Sequence, residues 1–438
     1  MPARVRLEVV AGPIQGRQFE FDGHDTFLFG RSPDCHAELS QDDSTASRHH
    51  FLLEVNPPAA RLRDLGSLNG TYVNGQKHGG RGHLTPEEAA RQRWPEVDLR
   101  DGDSIRVGAT VFAVHVEGAL PAESDRDTRR SLDLSVARER AARPDTHQAL
   151  DGGSSVLRPL LEEAEPDAVA GYRLGPLLGR GGMGVVHLAT RLADGATVAL
   201  KLMRPEVVVD AHSREVFDRE IAVTSRLRHP NVVTLFAHGS EGEHFFFAME
   251  YCAGGSLASM IARRGKLEPG PAVRAALQAL AGLSFAHENG FIHRDIKPEN
   301  ILLVDAEMSV AKLTDFGLAK SFEQAGLSGM TATGAAAGTL QFMPREQLTN
   351  FRLLRPTSDV WSMGATLYHM LTLEYARDFP PGKDPLSVIL SGGVVPLRER
   401  DPSLPASLAA VVDRAVEDDL HKRYPSATEF RDALAAAL

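Results

Sequence analysis

Residues 291–303 read FIHRDIKPENILL, and residues 312–317 read KLTDFG. Ahead of these two runs, the segment 172–290 begins with strand-like patterns and then turns helical, as in 217–228 and 272–289. Strands that come first and helices that come afterwards are typical of an α+β domain. The two runs are therefore expected to lie in an α+β domain that forms the C-terminal part of the chain.

A glycine-rich segment opens this domain. Residues 178–186 read LGRGGMGVV, in which Gly179, Gly181 and Gly184 form a GxGxxG pattern. Dinucleotide-binding turns share this spacing, but a helix follows the glycines there, whereas strand, turn and strand follow them here. A glycine hairpin lets backbone N–H groups approach phosphates, because no side chain intervenes. The pattern alone leaves a phosphate-binding hairpin and an ordinary surface hairpin equally open.

Two charged residues follow the glycine-rich segment. Lys201 ends the strand-like run 198–201, and Glu220 lies on an amphipathic helical pattern. A lysine at a strand end is usually only solvated, but a Lys–Glu pair of this kind can hold an ammonium toward nucleotide phosphates. The glycine segment, the pair and the two runs quoted first stand in a fixed order along the chain.

On these ordered motifs, residues 172–438 resemble a serine/threonine protein kinase domain of the bacterial type. The resemblance implies a bilobal α+β fold and a phosphotransferase that uses ATP and Mg²⁺ to phosphorylate Ser or Thr of proteins. A chance match of several motifs in the family's order is remote.

The resemblance assigns the catalytic residues one by one. It implies that Asp295 accepts the proton of the substrate hydroxyl and that Lys297 faces the γ-phosphate, as in kinases acting on Ser or Thr. It also implies that Lys201 contacts the α- and β-phosphates and pairs with Glu220. The residues implied to bind ATP are Leu178, Gly179, Gly181, Gly184, Val186, Ala199, Lys201, Met249, Glu250 and Cys252, and those implied to hold Mg²⁺ are Asn300 and Asp315.

Residues 321–338 correspond to the family's activation loop. Thr331 and Thr333 look like the paired autophosphorylation sites of bacterial relatives. Arg294 is of the type that receives a phosphorylated loop through Arg–phosphate hydrogen bonds. The alternative is an ordinary loop rich in Ser and Thr, and phosphorylation is the favoured interpretation.

One departure from the family pattern follows this loop. The family closes it with Ala-Pro-Glu or Ser-Pro-Glu, whereas here Pro344 is displaced by one position and Glu346 is retained. Because proline fixes φ and lacks an N–H, the shift puts substrate preference in doubt. Arg423 is the expected partner of Glu346, and Asp359 is the expected anchor of the catalytic loop.

Residues 4–117 show short alternating runs separated by turn signals, a spacing that suggests an all-β sandwich. On the motifs FGRS at 29–32, ASRHH at 46–50 and DLGSLNGTYVNG at 64–75, they resemble a forkhead-associated (FHA) domain, which binds phosphothreonine. The residues that the resemblance assigns to phosphothreonine binding are Arg31, Ser47 and Arg48 for the phosphate and Asn69 for the peptide backbone.

Two features of the FHA-like segment depart from its family. Leu68 precedes Asn69 where the family often has Thr or Ser. Residues 76–98 form a long insert, in which 84–92 predict a short helix with Thr85 as N-cap. The insert is either a surface addition or a contact with the kinase-like part.

The remaining composition bounds the whole chain. Residues 118–171 contain no aromatic residue and are rich in charged and small residues, which predicts a flexible linker. The 438 residues carry a net charge of −10 and are 42% hydrophobic, which excludes a largely disordered chain and argues against general nucleic-acid binding. Two distant cysteines, Cys35 and Cys252, fit a reducing compartment. No run approaches the roughly 18 apolar residues of a membrane span, so a cytoplasmic protein is expected.

The sequence thus predicts an ATP-dependent protein serine/threonine kinase with an attached phosphothreonine reader. The reader is expected to bind phosphothreonine peptides, either on substrates or on the chain's own sites, and the kinase to be activated by phosphorylation of its loop. The alternative is a pseudokinase scaffold that acts through phosphopeptide binding. That alternative predicts the loss of Lys201, Asp295 or Asp315, and all three are present.

Overall fold

The computed structural model describes most of both domains. The described residues are 3–22, 25–33, 35–82, 84, 94–117, 168–181, 184–203, 227–241, 244–316, 340–349, 354–380, 383 and 385–437. Glu220, Thr331, Thr333 and the helix expected in the insert lie outside the described residues, as does nearly all of the expected linker.

Two β-sheets form the N-terminal domain. Its strands are β1 (Arg4–Ala11), β2 (Gln18–Phe21), β3 (Asp25–Gly30), β4 (Ala37–Glu38), β5 (Phe51–Asn56), β6 (Ala59–Asp64), β7 (Thr71–Val73), β8 (Gln76–His78), β9 (Glu96–Leu99), β10 (Ser104–Val107) and β11 (Thr110–Glu117). One sheet has the order β2-β1-β11-β10-β7-β8 and the other β4-β3-β5-β6-β9. The expected β-sandwich is confirmed, and both ends of the expected insert lie in its strands.

Alternation along the strands places the sandwich core. In β1, Val5, Leu7 and Val9 are buried while the residues between them are more exposed, as the two-residue period of a strand requires. Between the sheets, the rings of Phe29 and Phe51 stack with their centroids 4.5 Å apart. This aromatic centre fixes the sheet from which the expected phosphate-binding loops emerge.

The C-terminal domain has a sheet-rich lobe and a helical lobe. Its strands are β12 (Ala168–Val169), β13 (Tyr172–Gly181), β14 (Gly184–Arg191), β15 (Thr197–Met203), β16 (Leu235–Glu241), β17 (His244–Met249), β18 (Gly255–Ser256), β19 (Ile301–Leu303) and β20 (Ala311–Leu313). Its helices are α1 (Leu257–Arg264), α2 (Pro269–Glu288), α3 (Arg345–Thr349), α4 (Pro356–Thr372), α5 (Pro385–Ser391), α6 (Leu397–Arg400), α7 (Ala406–Ala415) and α8 (Ala427–Ala436). The bilobal α+β fold is therefore confirmed.

The helical lobe is built around α4, which is buried along nearly its whole length, and α2, which is buried on most sides. Trp361 of α4 is completely buried, and its indole Nε1 donates a hydrogen bond to the carbonyl of Val416 at 2.8 Å. A helix that is apolar all round belongs in the centre of a domain. This rigid centre carries the loop between α2 and β19, in which the expected catalytic residues lie.

Candidate active site and phosphopeptide site

A buried aspartate holds the expected catalytic loop. The Oδ2 atom of Asp359 accepts the backbone N–H of His293 at 2.7 Å, and its Oδ1 atom accepts the N–H of Arg294 at 2.8 Å. The ring of His287 lies 2.8 Å from the same Oδ2. Burial alone would raise the pKa of Asp359, but the hydrogen bond and charge of His287 and the loop amide outweigh it and lower the pKa. The expected anchoring role of Asp359 is confirmed.

The backbone beside this anchor is strained at two positions. Arg294 has a φ of 70° and Asp315 a φ of 62°. These values lie in the left-handed region, which residues other than glycine rarely adopt. The side-chain amide of Gln347 on α3 donates to the carbonyl of Arg294 at 2.8 Å. Such strain persists only where the surroundings fix it, and it clusters at functional sites.

Three expected site residues meet around one carboxylate. The ammonium of Lys297 lies 2.9 Å from Oδ2 of Asp295. The side-chain amide of Asn300 donates to the same oxygen at 2.9 Å and to the carbonyl of Asp295 at 2.7 Å. The short spacing in the sequence therefore places a carboxylate, a cation and an amide within hydrogen-bonding reach.

Lys201 brings the sheet-rich lobe to this group. Its ammonium lies 2.9 Å from both carboxylate oxygens of Asp315. Burial would raise the pKa of Asp315, but the charge and hydrogen bonds of Lys201 outweigh it, and the pKa is lowered. Lys201 thus contacts Asp315 here, and its expected pairing with Glu220 stays a prediction because Glu220 is not described.

The donor set beside Lys201 suits a magnesium ion. Asn300 is held next to the segment that carries Asp315. The backbone N–H of Thr314, the residue before Asp315, donates to the carbonyl of Asn300 at 3.0 Å. Carboxylate and amide oxygens are hard ligands, and Mg²⁺ usually takes only one or two of them from a protein, with phosphates and water completing its shell. Within the described residues no cluster of three or more His, Cys, Asp or Glu side chains suits a metal ion.

An apolar cleft lies between the lobes. Ala199, Met249 and Cys252 belong to one buried cluster, against which Val186 and Leu302 pack. These side chains come from β14, β15, β17, the segment after β17, and β19, so they line the cleft from both lobes. Flat apolar walls of this kind suit the ring of a nucleotide base.

The glycines of the hairpin above the cleft differ in their surroundings. A Cβ atom built on Gly184 would lie 2.1 Å from the carbonyl oxygen of Leu202, so close strand packing requires glycine there. A Cβ atom on Gly179 or Gly181 meets nothing within 4 Å. The fold itself does not require glycine at these two positions, which leaves open space above the cleft for a ligand's phosphates.

The segment after β17 carries two further expected ATP contacts, Glu250 and Cys252. The carboxylate of Glu250 is held by the ammonium of Lys312 at 2.6 Å, so only its backbone is available to a nucleotide. Burial and the neighbouring Glu250 raise the pKa of Cys252 to about 11, so this thiol stays protonated. Leu178, by contrast, is 44% exposed at the edge of the hairpin.

The loop after the activation segment keeps its expected ion pair. Nη1 of Arg423 lies 2.6 Å from Oε1 of Glu346, so the predicted partnership is confirmed. Pro344 stands directly before α3, where a helix start tolerates proline because its first N–H groups have no intrahelical partner. The displaced proline therefore coexists with the anchoring ion pair.

The N-terminal domain gathers its four expected phosphothreonine-binding residues on neighbouring loops. Nε of Arg31 donates to the carbonyl of Ala46 at 2.6 Å, and the N–H of Arg31 donates to the carbonyl of Ser47 at 3.0 Å. Oγ of Ser47 accepts the N–H of Leu68, the residue before Asn69, at 2.9 Å. The side chains of Arg48 and Asn69 are exposed beside them. Cationic, hydroxyl and amide donors thus converge at one end of the sandwich.

Two buried residues organise these loops from below. The carboxylate of Asp64 accepts hydrogen bonds from three backbone N–H groups (Gly66, Ser67 and Gly80) and from two hydroxyls (Ser67 and Thr71). Nδ1 of His50 accepts the N–H of Ser47 at 2.9 Å. Burial lowers the pKa of His50, so its ring is neutral at pH 7.

Sequence reasoning assigned no role to several residues that shape these sites. Asp64 is the first residue of the motif at 64–75. The Gly, Ser and Asn residues that follow it favour turns, and this was the signal for a carboxylate that organises a loop. Lys312 and Gln347 act through contacts with residues 62 and 53 positions away, which no local pattern could indicate.

Comparison with known proteins agrees with this geometry. The protein kinase domain model matches residues 172–429 and the FHA domain model matches residues 27–108. The chain belongs to the protein kinase family, and an FHA domain precedes its kinase domain.

Its relatives are bacterial serine/threonine protein kinases. Serine/threonine-protein kinase pkn2 of Myxococcus xanthus is 34% identical over 291 residues, which are 66% of this chain and 33% of that protein. PknB of Mycobacterium tuberculosis (strain ATCC 25618 / H37Rv) is 35% identical over 269 residues, covering 59% and 42% of the two chains. The chain thus spans less than half the length of these relatives.

The structure of Rad53 1-466 in complex with AMP-PNP covers 98% of this chain and 99% of its own, with 20% identity and a TM-score of 0.50. At that identity the likeness shows the fold alone. Across the part of the chain that the structure describes, no helix is both long and apolar enough to cross a membrane.

Proposed function

We propose that the chain is an ATP- and Mg²⁺-dependent protein serine/threonine kinase with an attached phosphothreonine-binding domain. The observation that carries the proposal is the group formed by Asp295, Lys297 and Asn300, beside the Lys201–Asp315 pair. We place the reader at 4–117, a linker at 118–171 and the kinase at 172–438.

The residues of this group have distinct roles in the proposed reaction. ATP would supply the phosphoryl group, and Asn300 and Asp315 would hold Mg²⁺, which would neutralise charge on the phosphates. Asp295 accepts the proton of the substrate hydroxyl, and Lys297 lies on the same carboxylate, where it faces the transferred group. Lys201 orients the phosphates from the sheet-rich lobe.

The cleft and hairpin supply the nucleotide site in this proposal. The base lies between the apolar walls formed by Val186, Ala199 and Met249, with the backbone of Glu250 and Cys252 at its edge. The open space above Gly179 and Gly181 admits the phosphates to the backbone of the hairpin. Phosphoryl transfer depends on such positioning more than on covalent help.

The FHA domain reads phosphothreonine in this proposal. Arg31, Ser47 and Arg48 bind the phosphate, and Asn69 holds the peptide backbone. Its ligands are phosphorylated substrates or the chain's own activation loop once Thr331 or Thr333 carries phosphate. A tether of roughly fifty residues gives such internal ligands a high effective concentration. The cytoplasmic location stays a prediction from the sequence.

The kinase reaction is tested on the purified chain with Mg²⁺ and labelled ATP, with and without a generic protein acceptor. We expect phosphate on Thr331 or Thr333 and on the acceptor in the wild type, and none in Asp295→Asn. Asp432→Asn, the same change at a carboxylate that is 65% exposed, is the matched control and should behave as wild type. Absence of label from the wild type, even after treatment with an activating kinase, would favour the scaffold.

The reader is tested by calorimetry with phosphorylated and unphosphorylated peptides from residues 326–338. We expect binding of the phosphorylated form only, and its loss in Arg31→Ala. Arg4→Ala removes an exposed arginine from the outer side of β1 and is the control. Equal binding of both peptides would contradict phosphothreonine recognition.

A further inference from the structure

The second sheet of the FHA domain is covered on both faces at β3 and β5. In β5, the consecutive residues Phe51, Leu52 and Leu53 are 0%, 5% and 0% exposed. Successive strand residues point to opposite faces, so Phe51 and Leu53 enter the sandwich core and Leu52 points away from it. Leu28, the register partner of Leu52 on β3, is also completely buried. Something outside the sandwich therefore covers these two leucines.

The helical lobe of the kinase provides that cover. Leu28 and Leu52 belong, with Cys35 and Leu65, to a buried apolar cluster that includes residues around α3 and on α5. The kinase residues of this cluster are Leu340, Met343, Leu348, Leu386, Ile389 and Leu390. An apolar centre of this size is the usual core of an interface between two protein surfaces.

The edge of the contact is charged. A crevice lined by Leu52, Leu348 and Leu386 is also lined by the half-buried residues Glu54 and Arg63 of the sheet. A polar rim around an apolar core is the arrangement of a specific interface, because the rim remains hydrated while the core excludes water. Two isolated apolar residues on an otherwise charged sheet face thus have a defined partner in the same chain.

The contact lies beside the catalytic loop. Helix α3 packs against strand β3, and on its other side Gln347 donates to the carbonyl of Arg294, next to Asp295. Strand β3 leads directly into Arg31 of the phosphothreonine site. One helix therefore touches both the reader and the catalytic loop. Ala199 and Met249 of the nucleotide cleft belong to a different cluster.

We propose that the outer face of β3 and β5, centred on Leu28 and Leu52, is a docking surface for the chain's own kinase lobe, and that docking limits the access of protein substrates to Asp295. The docked domain occupies the surface of α3 and α5, across which a folded substrate has to approach. The apolar cluster proposed to hold the nucleotide base shares no residue with this contact. Docking requires no phosphoryl transfer, so it goes beyond the proposed function and is testable without it.

A native cysteine reports on docking. Cys35 is 8% exposed within the shared cluster, whereas Cys252 lies in the segment after β17, with its pKa raised to about 11 by burial and Glu250. The full chain is treated with a maleimide under native conditions, and labelling of each cysteine is followed by mass spectrometry. In Leu386→Asp we expect Cys35 to react about tenfold faster than in the wild type, because a charge in the apolar centre opens the contact.

Three further variants keep the test interpretable. Leu52→Asp changes the opposite side of the contact without entering the sandwich core, and should also accelerate Cys35. Leu420→Asp and Val10→Asp place the same charge at positions 39% and 44% exposed, and should match the wild type. Unchanged labelling of Cys252 shows that the kinase domain remains folded. Equal Cys35 rates in all five proteins would overturn the docking surface.

The same proteins test the consequence for activity. In Leu52→Asp we expect kcat/KM for a folded protein acceptor to rise about fivefold, while the value for a short peptide and the KM for ATP stay unchanged. Faster Cys35 labelling with equal kcat/KM changes for both acceptors would overturn restricted access. If none of the proteins transfers phosphate, the proposed kinase reaction fails, and the labelling result still decides the docking surface.

Discussion

The catalytic loop and the phosphothreonine loops are both held in shape by a buried side chain, but the two side chains lie at different distances along the chain from the residues they hold. Each is held by a buried aspartate that accepts backbone N–H groups, Asp359 in the kinase and Asp64 in the FHA domain. Asp64 accepts hydrogen bonds from residues two to sixteen positions away, whereas Asp359 accepts the backbone N–H groups of residues 66 and 65 positions away. The reader's loop therefore depends on local chain geometry, and the catalytic loop depends on the packing of a whole helical lobe.

The largest effect is expected from removing the remote anchor. Asp359→Ala leaves two buried N–H groups and His287 without their acceptor, which should cost about 4 kcal/mol of unfolding free energy and lower kcat at least about a hundredfold. Asp359→Asn keeps one acceptor oxygen, so its unfolding free energy and its kcat should lie between those of the wild type and of Asp359→Ala. Denaturation and steady-state kinetics measure both effects. A full kcat in Asp359→Ala would show that the loop holds its shape without the anchor.

The local anchor provides the matching change. Asp64→Ala leaves five hydrogen-bond donors beneath the reader's loops without their acceptor. It should lower the unfolding free energy of the FHA domain by about 3 kcal/mol and abolish phosphopeptide binding. Phosphorylation of a short peptide should stay near the wild-type rate, because the kinase anchor is untouched. Calorimetric binding and a peptide assay on the same preparation separate the two. Loss of both functions would mean that the anchors are not independent.

Two glycines of the hairpin separate the effect of a substitution on packing from its effect on ligand binding. Gly184→Ala forces a Cβ atom against the carbonyl of Leu202 and should destabilise the sheet-rich lobe by about 2 kcal/mol. Gly181→Ala, its matched control, meets open space and should leave the melting temperature nearly unchanged while raising the KM for ATP severalfold. Equal melting temperatures of the two variants would contradict the difference in packing.

The sequence predicted the fold classes, and it indicated which catalytic-loop residues would lie close together, because that motif is local. Asp295, Lys297 and Asn300 stand within six positions, and their spacing alone brings them to one carboxylate. The contact of Lys312 with Glu250 and that of Gln347 with Arg294 arise only when separate elements pack together. The sequence carries one weak indication of the docking surface. Strand β5 has three consecutive apolar residues, whereas a strand of a sheet with one solvent-exposed face would alternate apolar and polar residues.

The smallest expected effect is a difference between the two domains in how their stability depends on pH. Burial lowers the pKa of His50 below its usual 6.5, so on acidification the unfolded FHA domain takes up a proton that the folded domain resists. Stability is thus complete above pH 6.5 and falls as the pH drops below it. His50→Gln should flatten the pH dependence of the FHA melting temperature between pH 5 and 7 at some cost in stability. Asp359, whose pKa is lowered by His287 and the loop amide against the opposing effect of burial, contributes stability that disappears only below its ordinary value of 3.8. A wild-type FHA melting temperature that stays constant between pH 5 and 7 would contradict a lowered pKa of His50, because the folded and unfolded domains would then take up protons equally.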